Sequence, residues 1–237
     1  MYPALISRLK ISGKFTGQSW ITCKSCLGFS RMRIFSKWPL SAWGGSFIVH
    51  IPEIWEIFVI FTETTLKGAY LVDPERLEDS RGFFARTWCQ REFEAHGIPF
   101  RQVQCNVSHN KKKGVLRGMH FQAAPYEEAK LICCIRGAIY DVIIDLRPMS
   151  PTFSQHFSVV LTAENKRMLF IPQGFAHGLQ TMENDTEVFY HMSEFYAPEF
   201  AKGVRWDDPA FRIQWPKGER IISDRDQSFP DFILTGV

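Results

Sequence analysis

The sequence predicts an all-β chain folded as a barrel or sandwich, and three observations carry that expectation. From residue 115 to 192, apolar and β-branched runs follow one another closely, at 115–122, 130–135, 138–146, 155–162, 166–171, 177–182 and 186–192. Gly137, Pro148, Pro151, Asn165, Pro172 and Asn184 punctuate them, and many short strands with turn signals between them mean a sandwich or barrel. Helix-compatible sequence is scarce. The third observation is a pair of strands unlike core strands: Gly114–Gln122 (GVLRGMHFQ) and Ile171–Gly178 (IPQGFAHG). The first mixes Val115, Leu116, Met119 and Phe121 with Arg117, Gly118, His120 and Gln122, and the second places His177 just after a Pro-x-Gly turn. Two histidines on separate strands, each near a glycine that permits close approach, point to a site inside a barrel.

Taken in order, the chain opens with a segment unlike the rest. Residues 1–58 are rich in Ser, Lys, Arg and Trp without sustained periodicity. They read as an N-terminal extension, disordered or upstream of a true start near Val59. The acid-free start also has the composition of a targeting peptide. Cys23-Lys-Ser-Cys26 has half the spacing of a zinc site, with no second pair following suitably. On this reading 1–58 are dispensable and 59–237 form the working domain.

Beyond that break, Gly68–Val72 reads as a strand, Asp79-Ser-Arg-Gly82 as a turn, and Trp88–His96 as a helix with Thr87 as N-cap and Gly97 as stop. Phe100–Val107 reads as a strand and Lys111–Lys113 as a solvated loop tip. After Tyr196 the sequence becomes irregular, with prolines at 198, 209, 216 and 230, and is expected to wrap the barrel.

Composition narrows the function classes. With 45% hydrophobic and 14% aromatic residues, 237 residues can bury a sizeable core. No run of about 18 apolar residues is present, so no membrane helix is expected. Seven of the 28 basic residues and none of the 25 acidic ones fall in residues 1–52, which leaves the remainder at 21 against 25, a net of −4. The formal +3 therefore belongs to the N-terminal segment, and nucleic-acid binding is not expected. Cys133 and Cys134, adjacent in a strand, should point to opposite faces, poor geometry for a disulfide framework; reduced thiols and a cytoplasmic location are the expectation.

The motifs add a resemblance. DSRGFF (79–84), QCNVS (104–108), GVLRGMHFQ (114–122), AKLI (129–132), DVIIDLRP (141–148), SPTF (150–153), AENKR (163–167), IPQGFAHG (171–178), EVFY (187–190), FYAPE (195–199) and WDDP (206–209) occur in this order. From about residue 59 to 230 the chain resembles the dTDP-4-dehydrorhamnose 3,5-epimerase family. The resemblance implies a cupin-type jelly-roll barrel with a few short helices and an irregular C-terminal segment. It also implies a homodimer acting on a dTDP-linked 4-keto-6-deoxy sugar without a cofactor.

In such a substrate the ketone acidifies the hydrogens on carbons 3 and 5, so epimerisation needs a base, an enolate stabiliser and an acid on the other face. The resemblance assigns His120 as base, paired with Asp226 of Ser223-Asp-Arg-Asp226, with Asp224 as competitor. It assigns Tyr190 as acid, and Lys130 is placed to stabilise the enolate oxygen. Arg81 and Arg117 match diphosphate contacts, Gln104 and Asn106 sugar or nucleotide contacts, His177 the sugar pocket, and Tyr196 the aromatic that stacks on thymine. Arg86, where family members often carry Glu, and Phe195 of the Phe195-Tyr196 pair depart from the pattern.

Metal-binding cupins use His-x-His, a Glu and a further His. Here Gln122 replaces the second histidine, with Glu127 as the doubtful carboxylate, so no metal is expected. Alternatives are an epimerase acting at one carbon only, a non-catalytic sugar-binding cupin, and a metal-dependent oxygenase. Strand alternation raises one difficulty: Arg117 and His120 are an odd number of residues apart. Either Gly118 marks a bulge, or Arg117 serves a neighbouring subunit.

Overall fold

The computed structural model describes Trp20–Ser25, Gly28–Arg33 and residues 57–233. The chain divides into two compact units, Met1–Trp55 and Glu56–Val237, a boundary three residues before the expected break at Val59. In the first unit, strands β1 (Trp20–Ser25) and β2 (Gly28–Arg33) pair antiparallel, a hairpin the irregular sequence did not suggest. Apart from this hairpin and residues 57–58, the expected extension lies outside the described residues, as does Cys26 of the Cys23–Cys26 pair.

The second unit is built of antiparallel sheets, as the sequence predicts. Its strands in chain order are β3 (Val59–Glu63), β4 (Tyr70–Pro74), β5 (Arg76–Asp79), β6 (Gly82–Ala85), β7 (Gln104–Asn110) and β8 (Val115–Gln122). Then follow β9 (Lys130–Arg136), β10 (Ala138–Asp145), β11 (His156–Thr162), β12 (Met168–Ile171), β13 (Phe175–Thr181) and β14 (Thr186–Met192). The C-terminal segment adds β15 (Ala201–Gly203) and β16 (Ile221–Ile222). One sheet runs β11-β10-β13-β8-β15, with β16 parallel to β8; the other runs β3-β4-β12-β9-β14-β7.

Side-chain alternation explains the packing. Along β10, Ile139 and Ile143 point inward and join Ile132, Leu161, Leu169, Phe175 and Val188 in the core between the sheets. The alternate residues Val142 and Ile144 point outward, where Val204, Phe211 and Trp215 of the C-terminal segment cover them. A strand covered on both faces reads as a continuous apolar run, which is why DVIID lacks polar alternation. The irregular C-terminus therefore does wrap the barrel. On the other sheet, Phe93 of helix α1 (Gln90–Ala95), with Phe100, packs on Phe170. Cys133 and Cys134 go to opposite faces as free thiols, and burial pushes both to about 11.

Local boundaries shift for physical reasons. The helix begins later than expected, with Cys89 rather than Thr87 at its N-cap and no side-chain cap bond. Glu92 ties this helix start to the sheet instead, accepting from the Val59 N–H at 2.6 Å and from Arg86 at 2.5 Å. Gly97 ends the helix at φ +73°. The expected strand at 100–107 starts only at Gln104: the Phe100 ring packs into the aromatic cluster, and its N–H bonds the Ile98 carbonyl at 2.8 Å rather than a neighbouring strand. The strand expected at 68–72 starts at Tyr70, since Gly68 sits in a turn at φ +86°.

The loop after β10 hangs on Asp145, whose carboxylate is fully buried. It accepts from Arg147 Nε at 2.8 Å and Nη2 at 2.7 Å, from Thr152 Oγ1 at 2.6 Å and from Ser150 Oγ. Burial raises its pKa, but these donors more than offset it and hold the carboxyl below its ordinary value. A depressed carboxylate pKa contributes stability that is present above the unfolded-state value and lost as pH falls through the folded one. Asp145→Ala should therefore lose roughly 3–5 kcal/mol in urea unfolding at pH 7. Below about pH 4 the difference from wild type should shrink.

Candidate active site

The site forms where the two sheets face each other. Strands β8 and β13 bring His120 directly opposite His177. Further along the ladder Arg117 pairs with Leu179, so three steps on β8 match two on β13. One extra residue is accommodated at Gly118, whose φ is +123°. This bulge puts Arg117 and His120 in the same pocket, which resolves the alternation difficulty in favour of the first explanation. A Cβ at Gly118 would lie 2.5 Å from Gly178 Cα and 2.8 Å from the His177 carbonyl oxygen. Gly118→Ala is therefore expected to destabilise the fold by roughly 3 kcal/mol or more, measured by urea unfolding, because neither backbone atom can step aside.

Asp226 reaches this bulge from a short helix, α2 (Asp224–Gln227). Ser223 caps it, its hydroxyl accepting from the Asp226 N–H at 3.1 Å, so the Ser-x-x-Asp spacing sets the direction of the carboxylate. Asp226 Oδ1 lies 2.8 Å from His120 Nε2, and Oδ2 accepts from the Gly118 N–H at 3.1 Å. Asp226, not Asp224, is thus the partner of His120. Burial raises the Asp226 pKa, but the His120 bond, the Gly118 N–H and the Ser223 contact outweigh it and hold the carboxylate below its ordinary value. The His120 ring stays 41% exposed, open to the pocket while its carboxylate is buried. A second pair stands beside it: His177 Nε2 lies 2.7 Å from Asp141 Oδ1, and Asp141 is wholly buried.

The opposite wall comes from the other sheet. Tyr190 lies on the inward face of β14 with Val188 and Met192. Burial pushes its phenol above the ordinary value, against the pull of the nearby Arg117 charge. Lys130 is buried, unlike the edge lysine that a strand start also allows, and its Nζ is 2.9 Å from Glu128 Oε1. Gln104 and Asn106 line the pocket from β7, and Tyr196 stands half-exposed at its mouth, its N–H donating to Gln104 Oε1 at 3.3 Å. Arg117 is steadied by its Nε donating to Asn110 Oδ1 at 2.7 Å. The cavity encloses about 440 Å³.

Nine of the ten residues singled out from the sequence therefore gather in or directly behind one pocket. Arg81 does not. It sits on the exposed β5–β6 hairpin, paired with Asp79, beside the exposed Phe83 and Phe84. Arg86 also lies outside the pocket, donating to the Ile57 carbonyl at 2.8 Å and to Glu92. Sequence reasoning missed Glu128, Lys202 and Arg225, which line the pocket. The signal for Glu128 was present: two residues before Lys130 in an extended segment is the same face. Glu127, the carboxylate weighed as a metal ligand, is exposed and outside the pocket lining.

Gln122 occupies the cupin ligand position, but its amide is committed to backbone. Nε2 donates to the Tyr126 and Phe195 carbonyls at 2.9 and 3.1 Å, and Oε1 accepts from the Ala197 N–H at 2.7 Å. Among the described residues, no three His, Cys, Asp or Glu side chains converge as a ligand set. Chemically, the pocket joins a carboxylate-backed imidazole and a protonated phenol across two walls, with fixed cations between them. Such an array can take a proton from one face of a bound molecule and return one to the other.

Comparison with known proteins places the chain among relatives of one family. The sequence profile of the family described as dTDP-4-dehydrorhamnose 3,5-epimerase matches residues 63–233. The enzyme of that name from Shigella flexneri is 39% identical over 172 residues, which span 72% of this chain and 94% of the relative. A crystal structure of the Bacillus anthracis enzyme, bound to TDP and PPi, is 40% identical. It superposes with a TM-score of 0.72, covering 74% of this chain and all of that one. A 3'-monoepimerase from Streptomyces bikiniensis, in complex with dTDP-quinovose, is 32% identical with a TM-score of 0.66, covering 71% of this chain and 85% of that one.

Proposed function

The chain belongs to the dTDP-4-dehydrorhamnose 3,5-epimerase family, and from that premise we propose that it inverts carbons 3 and 5 of dTDP-4-dehydro-6-deoxy-D-glucose to give dTDP-4-dehydro-L-rhamnose. The observation that carries the reading is the placement of His120 and Tyr190 on facing sheets around one pocket, with Asp226 2.8 Å behind His120. His120 removes the proton beside the ketone, and Asp226 stabilises the imidazolium that forms. The electron pair moves onto the ketone oxygen, where the Lys130 ammonium meets the enolate charge. Tyr190 gives a proton to carbon from the other face; the raised phenol pKa keeps that proton available. The imidazolium then returns its proton to solvent and the phenolate regains one, so the cycle balances without redox chemistry. Arg117 and Arg225 suit the diphosphate, Gln104, Asn106 and His177 the sugar, and Tyr196 the thymine.

The relevant assay is the configuration of the product. Incubation with the 4-keto sugar nucleotide should give ring proton couplings of a sugar inverted at both carbons. Inversion at carbon 3 alone would favour the one-carbon reading, to which the likeness to a 3'-monoepimerase gives weight. No inversion would leave a sugar-binding cupin.

The working unit is proposed to be a homodimer. The exposed hairpin bearing Arg81, Phe83 and Phe84 supports this, since a phosphate-binding arginine outside its own pocket can serve a partner's. No helix among the described residues is long and apolar enough to cross a membrane, and a cytoplasmic location with a nucleotide-sugar substrate is the proposed setting. Activity is expected to be independent of metal, since the Gln122 amide is held by three backbone groups. Prolonged chelation should leave the rate unchanged; a large loss restored by iron, manganese or zinc would revive the oxygenase reading.

A further inference from the structure

We propose that Glu128 is a positioning residue that fixes the Lys130 ammonium in the pocket as a charged donor. The inference rests on the reading that Lys130 stabilises the enolate. Both side chains are buried, with 3% of Glu128 and 10% of Lys130 exposed, so the pair lies where charges attract strongly and water screens them little.

Both carboxylate oxygens are committed. Oε1 is 2.9 Å from Lys130 Nζ, and Oε2 accepts from the Gln122 N–H at 3.0 Å. Gln122 is in turn held by its three backbone partners, so the carboxylate, which comes from the connection just before β9, is tied to the end of strand β8. Lysine loses rotamer freedom when fixed, and the ion pair offsets that loss before substrate arrives. An ammonium has three N–H donors. One meets Glu128, one points at the His120 carbonyl at a long 3.5 Å, and one is left for an oxygen in the pocket.

A carboxylate beside the ammonium weakens the field on an enolate, so its presence needs a reason. Without it, the buried ammonium would lie uncompensated and its long side chain would have no partner holding it in the pocket. Keeping the donor aimed outweighs the partial cancellation. This carboxylate occupies the side of the pocket where the sequence pattern offered Glu127 as a metal ligand. In this chain it serves a lysine instead.

The test is a double-mutant cycle. Glu128→Gln preserves shape and the acceptor for the Gln122 N–H but removes the charge. It should lower kcat by roughly 10- to 100-fold, less than or equal to the effect of removing a preorganised stabiliser outright. KM should stay within about threefold, because the contact acts on the enolate more than on the ground state. In a Lys130→Met background the same change should alter kcat by less than about twofold, since there is no ammonium left to position. Full additivity, or a rise in KM with kcat unchanged, would overturn the proposal. Lys130→Met with wild-type kcat and deuterium exchange would instead sink the reading that Lys130 stabilises the enolate, which separates the two failures. If Glu128→Gln does not fold, Glu128→Asp decides. A kcat between wild type and Lys130→Met supports positioning, and a wild-type kcat contradicts it.

Discussion

His120→Ala should lose both solvent deuterium uptake and epimerisation. No other pocket group combines an exposed imidazole with a buried carboxylate 2.8 Å behind it on the bulged strand. Positioned acid–base groups contribute on the order of 10²–10⁴-fold each, so the loss should greatly exceed that of a packing defect. The His120 ring is 41% exposed, so truncation removes little packing, and thermal unfolding should move only slightly. Residual exchange at the wild-type rate would place the base elsewhere. His177, backed by Asp141 at 2.7 Å and opposite His120 in the ladder, would be the next candidate.

Tyr190→Phe should separate exchange from inversion. The ring stays on the inward face of β14 and only the hydroxyl is lost, so the fold should survive. His120 can still form the enolate and return a proton to the same face. Deuterium should therefore enter at one or both carbons, while inverted product falls by on the order of 10²-fold or more. Epimerisation at the wild-type rate would make Tyr190 a core residue.

Much of the candidate site was legible because its parts are local. GVLRGMHFQ and IPQGFAHG each place a histidine within two residues of a glycine, and their strands prove to be neighbours with the histidines paired. Ser223 to Asp226 is a four-residue cap that fixes its own geometry. What escaped was non-local. Whether Arg117 shares a face with His120 depends on how Gly118 packs against Gly178, and nothing in β8 alone specifies the register of β13. Arg81 looked like one more pocket residue from its motif, yet its hairpin holds it away from this chain's own pocket. Glu128 was overlooked for a different reason: the metal-ligand pattern drew attention to its neighbour Glu127, while the i, i+2 relation to Lys130 was the informative one. In the fold, helix α1 starts at Gln90, and its Glu92 is engaged with Val59, 33 residues away along the chain, a contact its local sequence does not announce.

Deuterium incorporation by the wild-type enzyme in heavy water tests the central claim most directly. Proton transfer through an enolate by His120 and Tyr190 requires that each inverted carbon acquire its hydrogen from solvent. With the dTDP-linked 4-keto-6-deoxy sugar, the proton signals at carbons 3 and 5 should both disappear from the product spectrum as it forms. Product inverted at these carbons but retaining its original hydrogens would contradict the account.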